Sequence, residues 1–141
     1  MLHKLDPIII GVKHVYRNLN RKIEERQLDS FKEKYIFEKR YKESQSIIEK
    51  YPNRIPIIVE RFNINLPEID RKKYLTPADL TIGNFIYVIR KRLKMEAEKS
   101  LFLFFNEKML PVSENLGYAY NKCKDEDGFL YVKYCEETTF G

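Results

Sequence analysis

Tryptophan is absent from this 141-residue chain, and cysteine and histidine are scarce, with two of each. Cys123 and Cys135 lack the C-x-x-C spacing of a zinc or dithiol site, and two cysteines cannot build the framework of a small disulfide scaffold. Both thiols are expected to be free in a reducing, cytoplasmic setting. His3 and His14 both stand near the start, and no His-Glu-x-x-His pattern or Gly-rich phosphate loop occurs. The residue types that carry hydrolytic, metal or nucleotide chemistry are thus missing or scattered, so no catalytic residue, metal or cofactor is expected. Missing too is any apolar run near the roughly 20 residues of a membrane span. The only short run near the start is Ile8-Ile9-Ile10, which does not make a secretory signal. Any membrane attachment is therefore expected to be peripheral or covalent.

What is present suits one compact domain, since 43% hydrophobic residues can fill a core while 33% charged residues solvate its surface. The net charge of +5 favours acidic partners without choosing among lipid, nucleic acid and peptide. From residue 101 onward the balance turns acidic, with Glu107, Glu114, Asp125, Glu126, Asp127, Glu136 and Glu137 against Lys108, Lys122, Lys124 and Lys133. The basic surplus lies upstream of it.

Residues 1–29 read as an extension, with Val12, Val15, Tyr16, Leu19 and Ile23 at helical spacing among Lys13, Arg17, Arg21, Lys22 and Arg26, a basic amphipathic pattern. A domain over 30–141 follows. Its first helix carries Phe37, Tyr41, Ser44, Ile48 and Tyr51 on one stripe and stops at Pro52-Asn53, leaving Ile47 off the stripe as an exposed apolar residue. Arg54–Arg61 alternates as a strand, and Pro56, which cannot donate a ladder hydrogen bond, places it, or at least part of it, at an edge. Arg71–Thr76 completes a hairpin. Thr81 caps a helix marked by Ile82, Phe85, Ile86, Ile89 and Leu93. The unbroken apolar run Leu101–Phe105 predicts a central strand. A short helix over Glu114–Lys122, a solvated turn at Asp125-Glu126-Asp127-Gly128 and a strand over Phe129–Cys135 close the chain. After the leading helices, strand, strand, helix, strand, helix, strand is the order of a ubiquitin-like β-grasp. The early hairpin excludes the order of the RNA-recognition fold, strand, helix, strand, strand, helix, strand.

Five segments carry a resemblance beyond element order: Tyr51-Pro52-Asn53-Arg54-Ile55-Pro56-Ile57-Ile58-Val59-Glu60, Asp70-Arg71-Lys72-Lys73-Tyr74-Leu75, Pro77-Ala78-Asp79-Leu80-Thr81-Ile82-Gly83, Ile89-Arg90-Lys91-Arg92, and Asp125-Glu126-Asp127-Gly128-Phe129-Leu130-Tyr131. In order and in register, these resemble the autophagy ubiquitin-like modifiers, the family that includes the GABA-receptor-associated protein and the microtubule-associated protein light chain. The resemblance implies an α+β fold: a β-grasp with a four-stranded mixed sheet, preceded by additional N-terminal helices.

It also implies two activities. The first is conjugation of the terminal glycine, here Gly141, to phosphatidylethanolamine by activating and conjugating enzymes, with a processing cysteine protease acting on members that carry extra residues. The second is docking of peptides with an aromatic-x-x-aliphatic core, borne by cargo receptors and autophagy proteins, as an added strand with two pockets. Matched residue by residue, the resemblance lines the aromatic pocket with Glu43, Ile47, Pro56, Ile58, Lys73, Leu75 and Phe129. It lines the aliphatic pocket with Tyr74, Pro77, Leu80, Phe85, Val88 and Ile89, and it sets Arg54, Arg71, Lys73 and Arg92 against acidic flanks. Independently of it, Ile47, Ile58 and Leu75 share faces with polar neighbours and predict an exposed apolar patch, whereas Phe85 and Ile89 fall first to core packing. Thr76 departs from the family, whose members usually have a small aliphatic there. The expected location is cytoplasmic, and autophagosomal and related vesicle membranes when lipidated.

Two other readings compete. Arg71-Lys72-Lys73, Arg90-Lys91-Arg92 and the many Tyr and Phe residues could serve nucleic acid, but acidic peptide flanks and lipid headgroups account for them equally, and no nucleic-acid partner is expected. An unconjugated ubiquitin-like peptide-binding adaptor in vesicle trafficking differs only in lacking the lipid adduct.

Overall fold

The computed structural model describes residues 30–137. The extension at residues 1–29 and Gly141, the expected conjugation residue, lie outside them. The chain divides into two compact units between Lys34 and Tyr35. Of the first, the described part is the short helix α1 (Phe31–Lys34), opened by Ser30, whose Oγ accepts from the Glu33 N–H at 3.1 Å.

The second unit contains α2 (Phe37–Lys50), β1 (Arg54–Arg61), β2 (Lys73–Pro77), α3 (Ile82–Leu93), β3 (Ser100–Phe105), α4 (Leu116–Cys123) and β4 (Leu130–Glu137). The sheet order is β2-β1-β4-β3, with β1 and β4 parallel at its centre and antiparallel strands on both sides. This is the four-stranded mixed sheet expected of the β-grasp.

Local chemistry explains the elements. Thr81 Oγ1 accepts from the Asn84 N–H at 3.1 Å and Asn115 Oδ1 from the Tyr118 N–H at 2.8 Å, so each helix after β2 begins on a side-chain cap. Ile82, Phe85 and Ile89 of α3 are buried against Ile55, Ile57 and Val59 of β1 and Leu130, Val132 and Tyr134 of β4 in one core. On the other side of the sheet, α2 packs on β1.

Four sequence expectations change. Pro56 makes only the start of β1 an edge, while the strand as a whole lies inside the sheet. Residues 55, 57 and 59 turn their N–H groups toward β2, as the Val59 N–H donating to Lys72 O shows, so Pro56 faces β4, and pairing with β4 begins only at Ile57. The missing donor falls one residue before the ladder that would have used it. The apolar run Leu101–Phe105 is not central: β3 is an outer strand in which Leu101, Leu103 and Phe105 are buried while Phe102 and Phe104 are half-buried. Phe104 shelters against Phe62, with ring centroids 5.7 Å apart, and that local cover lets an outer strand read as an inner one. On α2 the inward stripe is Arg40, Ser44, Ile47 and Ile48, not the one through Phe37 and Tyr41, which are exposed at 44% and 45%. The turn after α4 is not solvated throughout, because Asp127 is fully buried.

Tyr134 ties the connection between β1 and β2 to the core. Its hydroxyl donates to Pro67 O and accepts from the Ile69 N–H at 2.9 Å. Burial pushes its phenol up to about 12, against the opposing pull of the Ile69 bond and Arg61. A raised folded-state value means that the proton is held more tightly in the native state. The associated stability is complete below the ordinary value of 10.0 and is lost as pH rises through about 12. Urea midpoints are therefore expected to fall between pH 10 and about 12, and less steeply for Tyr134→Phe; identical slopes for the two proteins would refute this role.

Candidate peptide groove at the outer edge of strand β2

The hairpin register assigns the predicted lining residues to two faces. Leu75 lies opposite Pro56 and Lys73 opposite Ile58, while Tyr74 lies opposite Ile57 and Thr76 opposite Ile55. Successive residues of a strand point to opposite sides. Lys73, Leu75, Pro56 and Ile58 therefore share the α2 side, and Tyr74, Thr76, Ile55 and Ile57 the α3 side.

On the α2 side the residues expected to line an aromatic pocket lie on one face. Tyr131 pairs with Ile58 in the parallel register, and Phe129, two residues earlier, shares its face and packs edge-on against the Tyr131 ring at 6.4 Å. Glu43 and Ile47 look in from α2, and Lys73 Nζ reaches Glu43 Oε2 at 2.7 Å, joining helix to strand. The exposed patch is smaller than expected, because Ile58 is fully buried and Pro56 and Phe129 are buried with it. Burying an isoleucine is worth roughly 1.5–3 kcal/mol, which favours a covered Ile58 wherever a helix can reach it. The half-buried residues Ile47 and Leu75 form what remains open.

On the α3 side Tyr74 packs its ring against Phe85 at 5.7 Å and 90°. Phe85 and Ile89 are fully buried core residues, as their helical spacing predicts, while Leu80 is half-buried and Val88 and Pro77 are exposed at the rim. An open cleft of about 430 Å³, lined by Asn53, Arg54, Pro77, Ala78 and Asp79, continues from this end of β2.

The expected acidic-flank cations surround the same edge. Burial raises the Tyr74 phenol, with Arg92 and Arg71 pulling it down and Asp70 pushing it up. Arg92 Nε lies 3.3 Å from Asp70 Oδ1, Lys73 is paired with Glu43, and Arg54 Nη1 lies 3.4 Å from Leu75 O. Exposed pairs of this kind are worth about 0–1 kcal/mol, so an incoming carboxylate can compete for either cation.

Sequence reasoning missed the cluster that holds α2 down. Asp127 Oδ2 accepts from Arg40 Nη1 and from the Tyr131 hydroxyl, Asp127 Oδ1 accepts from the Phe129 N–H at 2.9 Å, and the Ser44 hydroxyl donates to Asp127 O. Burial works against the Arg40 charge, but its bonds to Tyr131 and Asp127 outweigh burial and raise its pKa. Burial, then the bond to Asp127, drives the Tyr131 phenol far up. Gly128 has φ +90°, and a Cβ there would stand 2.3 Å from Ser44 Oγ, so only glycine lets this turn approach the helix. The legible signal was Arg40 and Ser44 four residues apart on one helical face. Both Asp127 oxygens are committed, and the described residues contain no group of three or more His, Cys, Asp or Glu able to hold a metal ion. Nor is any described helix long and apolar enough to cross a membrane.

Comparison with known proteins agrees with this architecture. Residues 39–141 match the family described as "ATG8: Autophagy protein Atg8 ubiquitin like". Autophagy-related protein 8 of Eremothecium gossypii is 51% identical over 115 residues, 81% of this chain and 96% of that protein. Autophagy-related protein 8d of Arabidopsis thaliana is also 51% identical, over the same shares of the two chains. The crystal structure of Trypanosoma brucei ATG8 superimposes with a TM-score of 0.72 at 46% identity, covering 80% of this chain and 98% of that one. With the mixed sheet, its flanking helices and half-identical relatives in agreement, this chain belongs to the Atg8 family of autophagy ubiquitin-like proteins.

Proposed function

We propose that the chain is a non-catalytic modifier, conjugated through Gly141 to phosphatidylethanolamine on autophagosomal membranes, that recruits autophagy proteins by adding their aromatic-x-x-aliphatic segments as a strand beside β2. The observation that carries the docking reading is the division of the lining residues between the two faces of an outer strand. A segment laid along β2 sends side chains an odd number of residues apart to opposite faces. Three residues is such a spacing: the aromatic side chain goes to the α2 side and the aliphatic one to the α3 side. Arg71, Lys73 and Arg92 suit acidic residues flanking the motif.

Conjugation rests on family membership and on the absence of a Cβ at Gly141, which lets a tail pass through a narrow enzyme channel. The partners proposed are the activating and conjugating enzymes, a processing cysteine protease, the lipid amine and motif-bearing receptors, and the setting is cytoplasmic and vesicular.

The docking test is a titration of an acidic aromatic-x-x-aliphatic peptide into the whole chain and into Lys73→Ala/Leu75→Ala. Lys73 is 53% exposed in its side chain and Leu75 half-buried, so the double variant should fold normally. Its affinity is expected to fall by about tenfold to a hundredfold, the scale of losing a central apolar anchor and a charge partner. Undiminished affinity would place the groove elsewhere.

A further inference from the structure

Two side-chain oxygens among the described residues are buried without a hydrogen-bond partner, the phenol of Tyr74 and the hydroxyl of Thr76. Both belong to β2, two residues apart and so on one face, the α3 side. Thr76 is only 9% exposed, and directly across from it stands Ile55, which offers no polar side-chain atom. Buried polar groups are nearly always paired, because sheltering one from water without a partner is unfavourable. This protein follows the rule on the α2 side, where the buried groups of Ser44 and Asp127 are all bonded. The exceptions coincide with the face where the second side chain of an added strand would enter.

We infer that the α3-side pocket selects a hydroxyl-bearing side chain, threonine above all, three residues after the aromatic of its peptide, in preference to valine or leucine. This rests on the docking reading above. Threonine and valine have nearly the same shape, so the expected apolar lining at half-buried Leu80 and exposed Val88 would receive either. They differ in one group. A threonine hydroxyl donates one hydrogen bond and accepts others, so it can pair with the oxygen of Thr76 or of Tyr74. Valine leaves both oxygens buried and unpaired in the complex. A site with unpaired polar atoms discriminates against the analogue that cannot bond them, whereas an apolar site only weakly rejects an added hydroxyl.

The test compares two acidic peptides that differ only in threonine or valine at the third position after phenylalanine, titrated into the whole chain, Thr76→Val and Thr76→Ser. The native chain and Thr76→Ser are expected to bind the threonine peptide about tenfold more tightly, and Thr76→Val to show a weak preference, about threefold or less, for the valine peptide. A preference for the valine peptide in the native chain equal to that of Thr76→Val would overturn the inference while leaving docking intact. So would equal binding of both peptides by all three proteins. Binding of neither peptide to any of them would remove docking at β2, and this inference with it.

Discussion

Replacing Asp127 with alanine is expected to cost the domain about 3–5 kcal/mol, the scale found when one partner of a buried ion pair is removed. The side chains of Arg40 and Asp127 are 11% and 0% exposed, so the deletion strands a guanidinium with little access to water. It also removes the carboxylate to which the Tyr131 hydroxyl and the Phe129 N–H both donate. The exposed pair Arg92 and Asp70 offers the contrast: Arg92→Ala should cost under about 1 kcal/mol, because both partners regain water. Urea unfolding of the whole chain measures both, and an Asp127→Ala midpoint matching that of Arg92→Ala would show that the cluster does not hold α2. The functional consequence follows from position. Phe129 and Tyr131 flank the α2 side of the proposed groove, and Arg40 and Ser44 are the residues through which α2 grips the turn that begins β4. Loosening that grip should weaken peptide binding through the aromatic pocket.

Replacing Gly141 with alanine is expected to abolish the lipid adduct. The proposed sequence adenylates the terminal carboxyl with ATP and releases pyrophosphate, passes the acyl group to a cysteine thiol of the activating enzyme with loss of AMP, exchanges it onto a thiol of the conjugating enzyme, and ends with attack by the headgroup amine. That attack forms an amide and releases the thiol. Each step needs the terminal carbonyl open to a nucleophile, and a Cβ beside it narrows both the channel and the approach. β4 runs to Glu137, and Thr138, Thr139 and Phe140 lead from it to Gly141. The assay mixes the chain with activating enzyme, conjugating enzyme, ATP and phosphatidylethanolamine liposomes, and follows adduct by gel mobility. Parental conversion with none in the variant is the expected result. Equal conversion would remove Gly141 from the chemistry. No conversion of the parent would favour the unconjugated adaptor.

Much of the site was legible because its residues belong to regular elements. The helical spacing of Ile82, Phe85 and Ile89 and the cap at Thr81 identified α3 and its buried face, and alternation along Arg54–Arg61 sorted Ile57 from Ile58 onto different sides of the sheet. What alternation could not say was whether the second side is wet. Ile58 looked exposed because its strand neighbours are Pro56 and Glu60; it is buried because α2 lies over it, a contact that no local pattern records. Asp127 reads as a surface acid among Asp125 and Glu126, and only the approach of Arg40, 87 residues away in sequence, makes it an interior one.

The sequence by itself determined most of the helices and strands, the cap at Thr81, and the family motifs from which the groove and the role of the terminal glycine are proposed. These depend on neighbours three or four residues apart, or on the identity of single residues. Tertiary structure decided strand order, which put the proline-bearing β1 at the centre and the apolar β3 at the rim, and it decided which polar side chains are paired. Both are set by contacts between distant segments, where a missing donor or an unpaired hydroxyl acquires its meaning from what lies opposite. Thr76 illustrates the difference. As a sequence it is one departure from an aliphatic pattern, and in the fold it is a buried oxygen without a partner at the edge where a peptide would bind.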